Sequence, residues 1–312
     1  MPRGVVLNFH RELDGSAFEQ GIRAVSKRYK IVSLPELHEV LASGKSEKNM
    51  AHITFDDGEI SFYEQVFPVL KKNNWPASLY VSPKIIETET NFWFQEIEAF
   101  NDEEFRKFLS GYLEIPLTDF TGFTTFSILK CFRVKKIQEI IRDYQELKGV
   151  KNAPRCNMTK EQLLEVDRSG LVTIGAHTQD HPILVNESDE DSAYEIIESV
   201  RQLERLLGHP VKYFAYPNGK EGYDFTQREI DYLKEAGIEL AFSTITDHLV
   251  NRTSIYKLPR VYYATTLGMK PSHPYVMLRL ALGNRWPRFR KRSEERDMRD
   301  QFAKVLSREG RR

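Results

Sequence analysis

The sequence predicts an α/β fold built around parallel strands, and three observations point to it. Short apolar runs rich in β-branched and aromatic residues alternate with stretches of helical period along most of the chain. A length of 312 residues can bury one α/β barrel as readily as two smaller cores, and a single domain is the simpler reading. Two of the apolar runs end in carboxylates or imidazoles, as happens where parallel strands deliver functional groups to one rim.

From the N-terminus, strands are expected at 4–10, 29–33, 50–55, 77–82, 171–176, 211–216, 238–243 and 257–263, with helices between them. Residues 62–70 place Phe62, Val66, Val69 and Leu70 on one helical face, and residues 193–207 do the same with Ala193, Ile196, Ile197, Val200, Leu203, Leu206 and Leu207. Both faces would pack on the sheet. In Thr159-Lys160-Glu161-Gln162 the threonine accepts from the first turn while Gln162 reaches back, so a helix should start there, run to about Ser169 and end at Gly170. Residues 90–155 leave this rhythm: rich in aromatic and charged residues, they read as a mostly helical insertion. Such an insertion could form one wall of a substrate groove at the barrel rim, or an aromatic mini-core packed on itself. No internal repeat appears.

Charge balances at 45 basic against 45 acidic residues, but residues 285–312 hold 11 Lys/Arg against 5 Asp/Glu, leaving 34 against 40 in residues 1–284. The expected division is therefore a body over 1–284 and a basic C-terminal tail. Arg285-Trp286-Pro287-Arg288-Phe289-Arg290-Lys291-Arg292 mixes bases with aromatics; it could rest on an anionic membrane surface or stay solvated, and no nucleic-acid partner is expected. The apolar start at residues 5–9 is interrupted by Asn8 and is too short for a signal peptide, and no run approaches the roughly 18–20 apolar residues of a membrane span. Cys131 and Cys156 alone make no disulfide framework, so free thiols and a cytoplasmic location are expected.

The chemistry lies in two short segments. Asp56 and Asp57 follow the run 51–55, and Gly58 permits a sharp turn after them. Two close carboxylates do not both ionise cheaply without a cation, whereas a divalent metal favours both charges. His177 ends the run 171–176 and His181 lies four residues on, just before Pro182, so a loop or single turn must bring the imidazoles together. Either pair alone reads as easily as a turn or as ordinary surface and core residues. Together, one carboxylate and two imidazoles are three good ligands for a borderline divalent metal, and a fourth position left to water makes a hydrolytic site. The spare aspartate is then free to act as a base.

At these residues the chain resembles the polysaccharide deacetylases, the NodB-homology group also called carbohydrate esterase family 4. Thr54-Phe55-Asp56-Asp57-Gly58 is similar to their first motif and His177-Thr178-Gln179-Asp180-His181 to their second. The resemblance continues through Val66-Phe67-Pro68-Val69-Leu70 to Trp75-Pro76-Ala77-Ser78-Leu79-Tyr80-Val81, then Phe214-Ala215-Tyr216-Pro217-Asn218-Gly219 and Leu258-Pro259-Arg260-Val261, covering about residues 4–263. It implies a distorted (β/α) barrel of the NodB type interrupted by the insertion at 90–155. It also implies Asp56 as general base, Asp57, His177 and His181 as ligands of one divalent metal ion, and Thr178 supporting the loop. A backbone N–H near Asn218, after Tyr216 and Pro217, would stabilise the oxyanion. Zn²⁺ suits this donor set, and Co²⁺, Ni²⁺ or Fe²⁺ would also fit.

Two departures from the family pattern matter. The arginine that pairs with the catalytic aspartate in one form of the third motif is replaced here by Ala215, and Arg260 is the candidate substitute, against a surface salt bridge as the alternative. The late histidine that protonates the leaving amine is not evident after residue 249. Leu7-Asn8-Phe9-His10-Arg11 instead resembles the N-terminal element of a permuted subgroup, which implies His10 as the acid; a strand-end histidine making a hydrogen bond is the alternative. Trp93 and Tyr216 could stack on sugar rings or pack in the core, while His52 and Trp75 read as structural. The implied function is metal-dependent removal of N-acetyl groups from amino sugars of a polysaccharide or glycan precursor, at the inner membrane face if the tail docks there. Hydrolysis of another C–N amide bond, or glycan binding without turnover, are the competing readings.

Overall fold

All eight expected strands form, and their alternating side chains sort into two apolar layers that curl one parallel sheet. The computed structural model describes residues 3–11, 14–43, 48–88, 90–249, 254–263, 280 and 295–308. The strands are β1 (Val5–Phe9), β2 (Lys30–Ile31), β3 (Met50–Phe55), β4 (Ala77–Val81), β5 (Val172–Ala176), β6 (Tyr213–Ala215), β7 (Leu240–Phe242) and β8 (Val261–Tyr262). They pair in the order β7-β6-β5-β4-β3-β1-β8, with β2 added to the start of β3. The two edges meet: the Leu258 N–H donates to the Ala241 carbonyl and the Ser243 N–H to the Leu258 carbonyl, each at 2.9 Å. The result is a distorted (β/α) barrel.

Successive strand residues point to opposite faces, so each strand feeds both layers. Val5, Leu7 and Phe9 of β1 and Ala51, Ile53 and Phe55 of β3 join the outer layer with Phe18, Phe67, Leu163 and Ile196 from the surrounding helices. Val6, Tyr80, Tyr213, Ala215, Phe242 and Leu258 pack together inside the barrel, with Leu34 and Leu37 at its base. Each fully buried Leu or Phe stabilises the fold by roughly 1.5–3 kcal/mol relative to exposure, so the outer layer can hold the barrel while part of the interior is polar. The interior rows Val6-Asn8-His10, His52-Thr54-Asp56 and Leu258-Arg260-Tyr262 do turn polar toward the strands' carboxyl ends.

Helices α1 (Gly15–Ser26), α2 (Leu34–Ala42), α3 (Phe67–Asn73), α4 (Pro83–Thr88), α9 (Lys160–Arg168), α10 (Asp189–Leu207) and α11 (Gln227–Glu235) surround the sheet. The capping box at α9 forms as read: the Gln162 N–H donates to Thr159 Oγ1 at 3.2 Å and the Thr159 N–H to Gln162 Oε1 at 2.9 Å. Helix α10 starts earlier than its apolar face suggested, because Ser188 caps it and Asp189, Glu190 and Asp191 favour the positive end of its dipole. The helix expected at 62–70 opens with a π-helical turn, Phe62–Val66, in which the Phe67 N–H reaches back to Phe62; Pro68 follows and has no N–H to continue a regular ladder. The strand expected at 257–263 is broken at Pro259, which cannot donate, so Leu258 bridges to β7 while Val261–Tyr262 pairs with β1.

The insertion folds as α5 (Trp93–Glu98), α6 (Asp102–Leu113), α7 (Thr125–Leu129) and α8 (Val134–Lys148) around its own core of Phe105, Leu109, Phe120, Ile137 and Tyr144. Part of the expected tail belongs to this core. Residues Glu295–Arg308 form α12, whose Phe302 ring lies 5.6 Å from Phe120 and 5.3 Å from Phe123. An exposed charged tail does not describe that stretch: apolar residues spaced along one face of α12 are buried against the insertion. The basic stretch 285–292 lies outside the described residues. Among the described residues no helix is long and apolar enough to cross a membrane.

Candidate active site

The interior rows of β1, β3 and β8, together with the loop after β5, converge at the carboxyl ends of the strands. Asp56 continues the inward row of β3. Asp57 (φ 71°) and Gly58 (φ 73°) then turn the chain so that both carboxylates reach one cleft. Only glycine fits at 58, because a Cβ there would sit 2.9 Å from Val81 Cγ1 and the backbone is left-handed. His177 directly follows β5; its Nδ1 lies 2.6 Å from the Ala215 carbonyl, so that nitrogen donates and Nε2 keeps its lone pair. Thr178 and His181 adopt left-handed φ values of 66° and 54°, and Thr178 Oγ1 accepts the His181 N–H at 3.1 Å. This single turn brings the second imidazole back over the first.

Asp57 Oδ1 lies 3.6 Å from His177 Nε2 and 3.7 Å from His181 Nε2, and one ligand atom from each residue falls within 4.8 Å of the others. Asp57 Oδ1 is buried without a hydrogen-bond partner. Burial, and then the charges of Asp56 and Glu59, hold the Asp57 carboxyl well above its usual range. Burial lowers His177 to about 4 and, with His177 beside it, pushes His181 well below the ordinary imidazole value. Two neutral imidazoles and a carboxylate that lacks a counter-charge fit a divalent cation, which would stabilise the ionised form of Asp57. Because a folded-state carboxyl raised above its unfolded value retains a proton the unfolded chain releases, the contribution of Asp57 to the stability of metal-free protein is lost as pH rises above about 4, whereas the lowered imidazoles of His177 and His181 act in the opposite sense up to about pH 6.5. Metal uptake should release the proton that the raised Asp57 carboxyl retains. Calorimetry in buffers of different ionisation enthalpy measures that proton, and its presence in an Asp57→Asn variant would contradict the assignment.

Asp56 is held differently. Arg260 is fully buried in the barrel interior: its Nη1 donates to Asp56 Oδ1 at 2.7 Å and Asn8 Oδ1 at 3.2 Å, and its Nε donates to the Ser243 carbonyl at 2.9 Å. Phe242 and Tyr80 present their rings to the guanidinium at 5.9 and 6.0 Å. Burial alone would raise Asp56, but Arg260, then His177 and His10, hold it at about 2. The two neighbouring carboxyls are thus driven apart, with Asp56 ionised at neutral pH. His10 Nδ1 stands 4.0 Å from Asp56 Oδ2 at the mouth of the cleft, its side chain 44% exposed. The surface alternative for Arg260 is ruled out by its burial.

Tyr216 and Trp93 offer no face to a sugar. Tyr216 is fully buried, donates its hydroxyl to the Tyr256 carbonyl at 3.0 Å and stacks on Phe225 at 3.7 Å; Trp93 is 4% exposed and donates its indole N–H to the His181 carbonyl at 3.1 Å. The large apolar area of each ring is better satisfied in the core, which corrects the stacking expectation. Pro217 is buried, whereas Asn218 (φ 58°) is half-buried at the turn after β6, with its side-chain nitrogen lacking a partner. His52 lies deeper in the interior, its ring nitrogens 2.9 Å from the Val32 carbonyl and 2.8 Å from Ser78 Oγ, in a structural position.

Two residues at this site escaped the sequence reading. Tyr262 is 37% exposed with its ring 5.7 Å from that of His10, and counting in twos along β8 from Arg260 would have pointed to it. Glu195 is buried on α10, and its Oε2 accepts the Gln179 and Asp180 N–H groups at 2.9 Å each, fixing the histidine loop. A glutamate among the polar residues of an amphipathic helix carries no such signal in sequence.

The profile of the family described as polysaccharide deacetylase matches residues 43–241. In shape the chain is similar to IcaB from Ammonifex degensii, at 22% identity and a TM-score of 0.60, over 90% of this chain and 98% of that one. It is similar also to the Streptococcus pyogenes deacetylase PplD in complex with acetate, at 17% identity and a TM-score of 0.59, over 90% and 99%. A de-N-acetylase from Aggregatibacter actinomycetemcomitans aligns at 16% identity and a TM-score of 0.56, over 86% and 98%. At these identities the structural likeness speaks for the fold. No curated protein matches the chain by sequence.

Proposed function

Because the chain belongs to the polysaccharide deacetylase family, we propose that it is a metal-dependent hydrolase removing N-acetyl groups from amino sugars of a polysaccharide or glycan precursor. The observation that carries this reading is the convergence of Asp57, His177 and His181 beside an Asp56 kept ionised by a buried arginine. A divalent cation held by Asp57 Oδ1 and the two Nε2 atoms, with Zn²⁺ the first candidate, would polarise the amide carbonyl and acidify a water molecule. Asp56 removes the proton from that water as it adds to the carbonyl carbon. The turn at Asn218 supplies a backbone N–H to the oxygen on which charge develops. His10, at the open side of Asp56, donates a proton to the departing amine as the C–N bond breaks, leaving acetate and a free amino sugar.

The test is metal analysis of the purified protein beside acetate release from a panel of N-acetylated oligosaccharides. Stoichiometric metal and release that stops on chelation and returns with metal are expected; metal-loaded protein that frees no acetate from any acylated amino sugar would end the proposal. His10→Ala should lower kcat by about 10²- to 10⁴-fold with metal content unchanged, and undiminished turnover would remove it from the mechanism. Tyr262, partly exposed beside His10, offers a ring face that a sugar could use. Tyr262→Ala should raise KM for oligosaccharides on the order of threefold to tenfold, the equivalent of one ring contact, with kcat retained. An unaltered KM would show that the ring makes no such contact.

A further inference from the structure

We infer that Phe92, Trp93 and Phe94 of the helical insertion are positioning residues for the metal centre, clamping His181 in its ligating orientation where a hydrogen bond usually does so. This rests on the metal site proposed above. A ligating histidine normally donates its second ring N–H to an acceptor that fixes the ring, and His177 does this through Ala215. His181 does not: its Nδ1 is buried without a partner. Its ring is walled instead by Phe94 at 4.9 Å and Phe92 at 5.6 Å, both edge to face, with the His177 ring at 5.0 Å. The Trp93 indole N–H, from the same tripeptide, holds the His181 carbonyl at 3.1 Å.

The rest of the loop is secured from elsewhere. Glu195 takes the N–H groups of Gln179 and Asp180, and the Asp180 carboxylate is bound by Lys84 at 2.6 Å and Gln138 at 3.1 Å. Only Phe92, Phe94 and His177 contact the imidazole of His181 among the ring contacts of the described residues. His181 also sits in a left-handed conformation that a non-glycine residue adopts at a cost, so its backbone needs an external restraint, and Trp93 provides one. On this reading the insertion is a working part of the metal centre as well as a separate aromatic core.

The test compares Phe94→Leu and Trp93→Phe, which keep an apolar side chain at each position, with Phe105→Leu, a substitution of the same kind in the insertion's own core. Metal affinity is read by competition with a chelator, fold by the melting of metal-free protein, and coordination by the visible spectrum of the Co²⁺-loaded form. Phe94→Leu and Trp93→Phe should each weaken metal binding by about 10- to 100-fold and alter the Co²⁺ spectrum, while Phe105→Leu leaves both unchanged even where it lowers Tm. Affinities for the two clamp variants no weaker than that of Phe105→Leu would overturn the inference while leaving the metal site standing. Failure of the unaltered protein to bind metal would overturn the site and the clamp together.

Discussion

Asp56→Asn should reduce deacetylation by about 10²- to 10⁴-fold without loss of bound metal, the scale of a lost general base. The substitution keeps the size of the side chain and an oxygen for Arg260 Nη1, so the 2.7 Å contact can persist as a neutral hydrogen bond. What is lost, on the proposed mechanism, is the proton acceptor. Asp56 is suited to that role because Arg260, His177 and His10 outweigh the effect of burial and hold it near 2, whereas adjacent Asp57 is raised by burial. Steady-state rates beside metal analysis separate the roles of the two aspartates: Asp57→Asn should lose metal, Asp56→Asn should not. Loss of metal from Asp56→Asn, or full activity, would reverse the assignment.

Arg260→Met should have the second large effect, on stability and pH dependence at once. Removing the guanidinium leaves the buried Asp56 carboxylate unpaired, a loss of about 3–5 kcal/mol and a Tm lower on the order of 10 °C. Methionine conserves much of the volume between Phe242 and Tyr80, so the cost reflects the charge more than a cavity. The pH profile follows by sign. With Arg260 present Asp56 stays ionised down to about pH 2; without it burial dominates, the carboxyl pKa rises, and the acid limb of kcat/KM moves to higher pH. A variant that melts lower but keeps the wild-type acid limb would reduce Arg260 to a structural role.

Much of this was legible before any coordinates. Apolar runs located the eight strands, Thr159 and Gln162 marked the start of α9, and Asp56, Asp57, His177 and His181 stood out because each pair ends a strand-like run. The misread residues share a cause. Trp93 and Tyr216 were read by chemical type, yet the same ring serves a sugar face or a core, and only the neighbours distinguish them: Phe225 under Tyr216, the His181 carbonyl over the Trp93 indole. Helix α12 was hidden because its apolar residues are sparse in a strongly charged stretch and their partners, Phe120 and Phe123, lie far away in sequence.

By itself the sequence determined what depends on local spacing: the strand and helix periods, the cap of α9, the turn at Asp57-Gly58, and the residue types that could ligate a metal. Tertiary structure decided what depends on distance and burial. It placed Arg260 against Asp56 from strands at opposite ends of the chain, drove apart the acidities of adjacent Asp56 and Asp57, and enclosed His181 between aromatic rings of an insertion. The physical reason is that periodicity is a property of neighbouring residues along the chain. Desolvation and charge pairing are set by whatever the fold brings within a few ångströms.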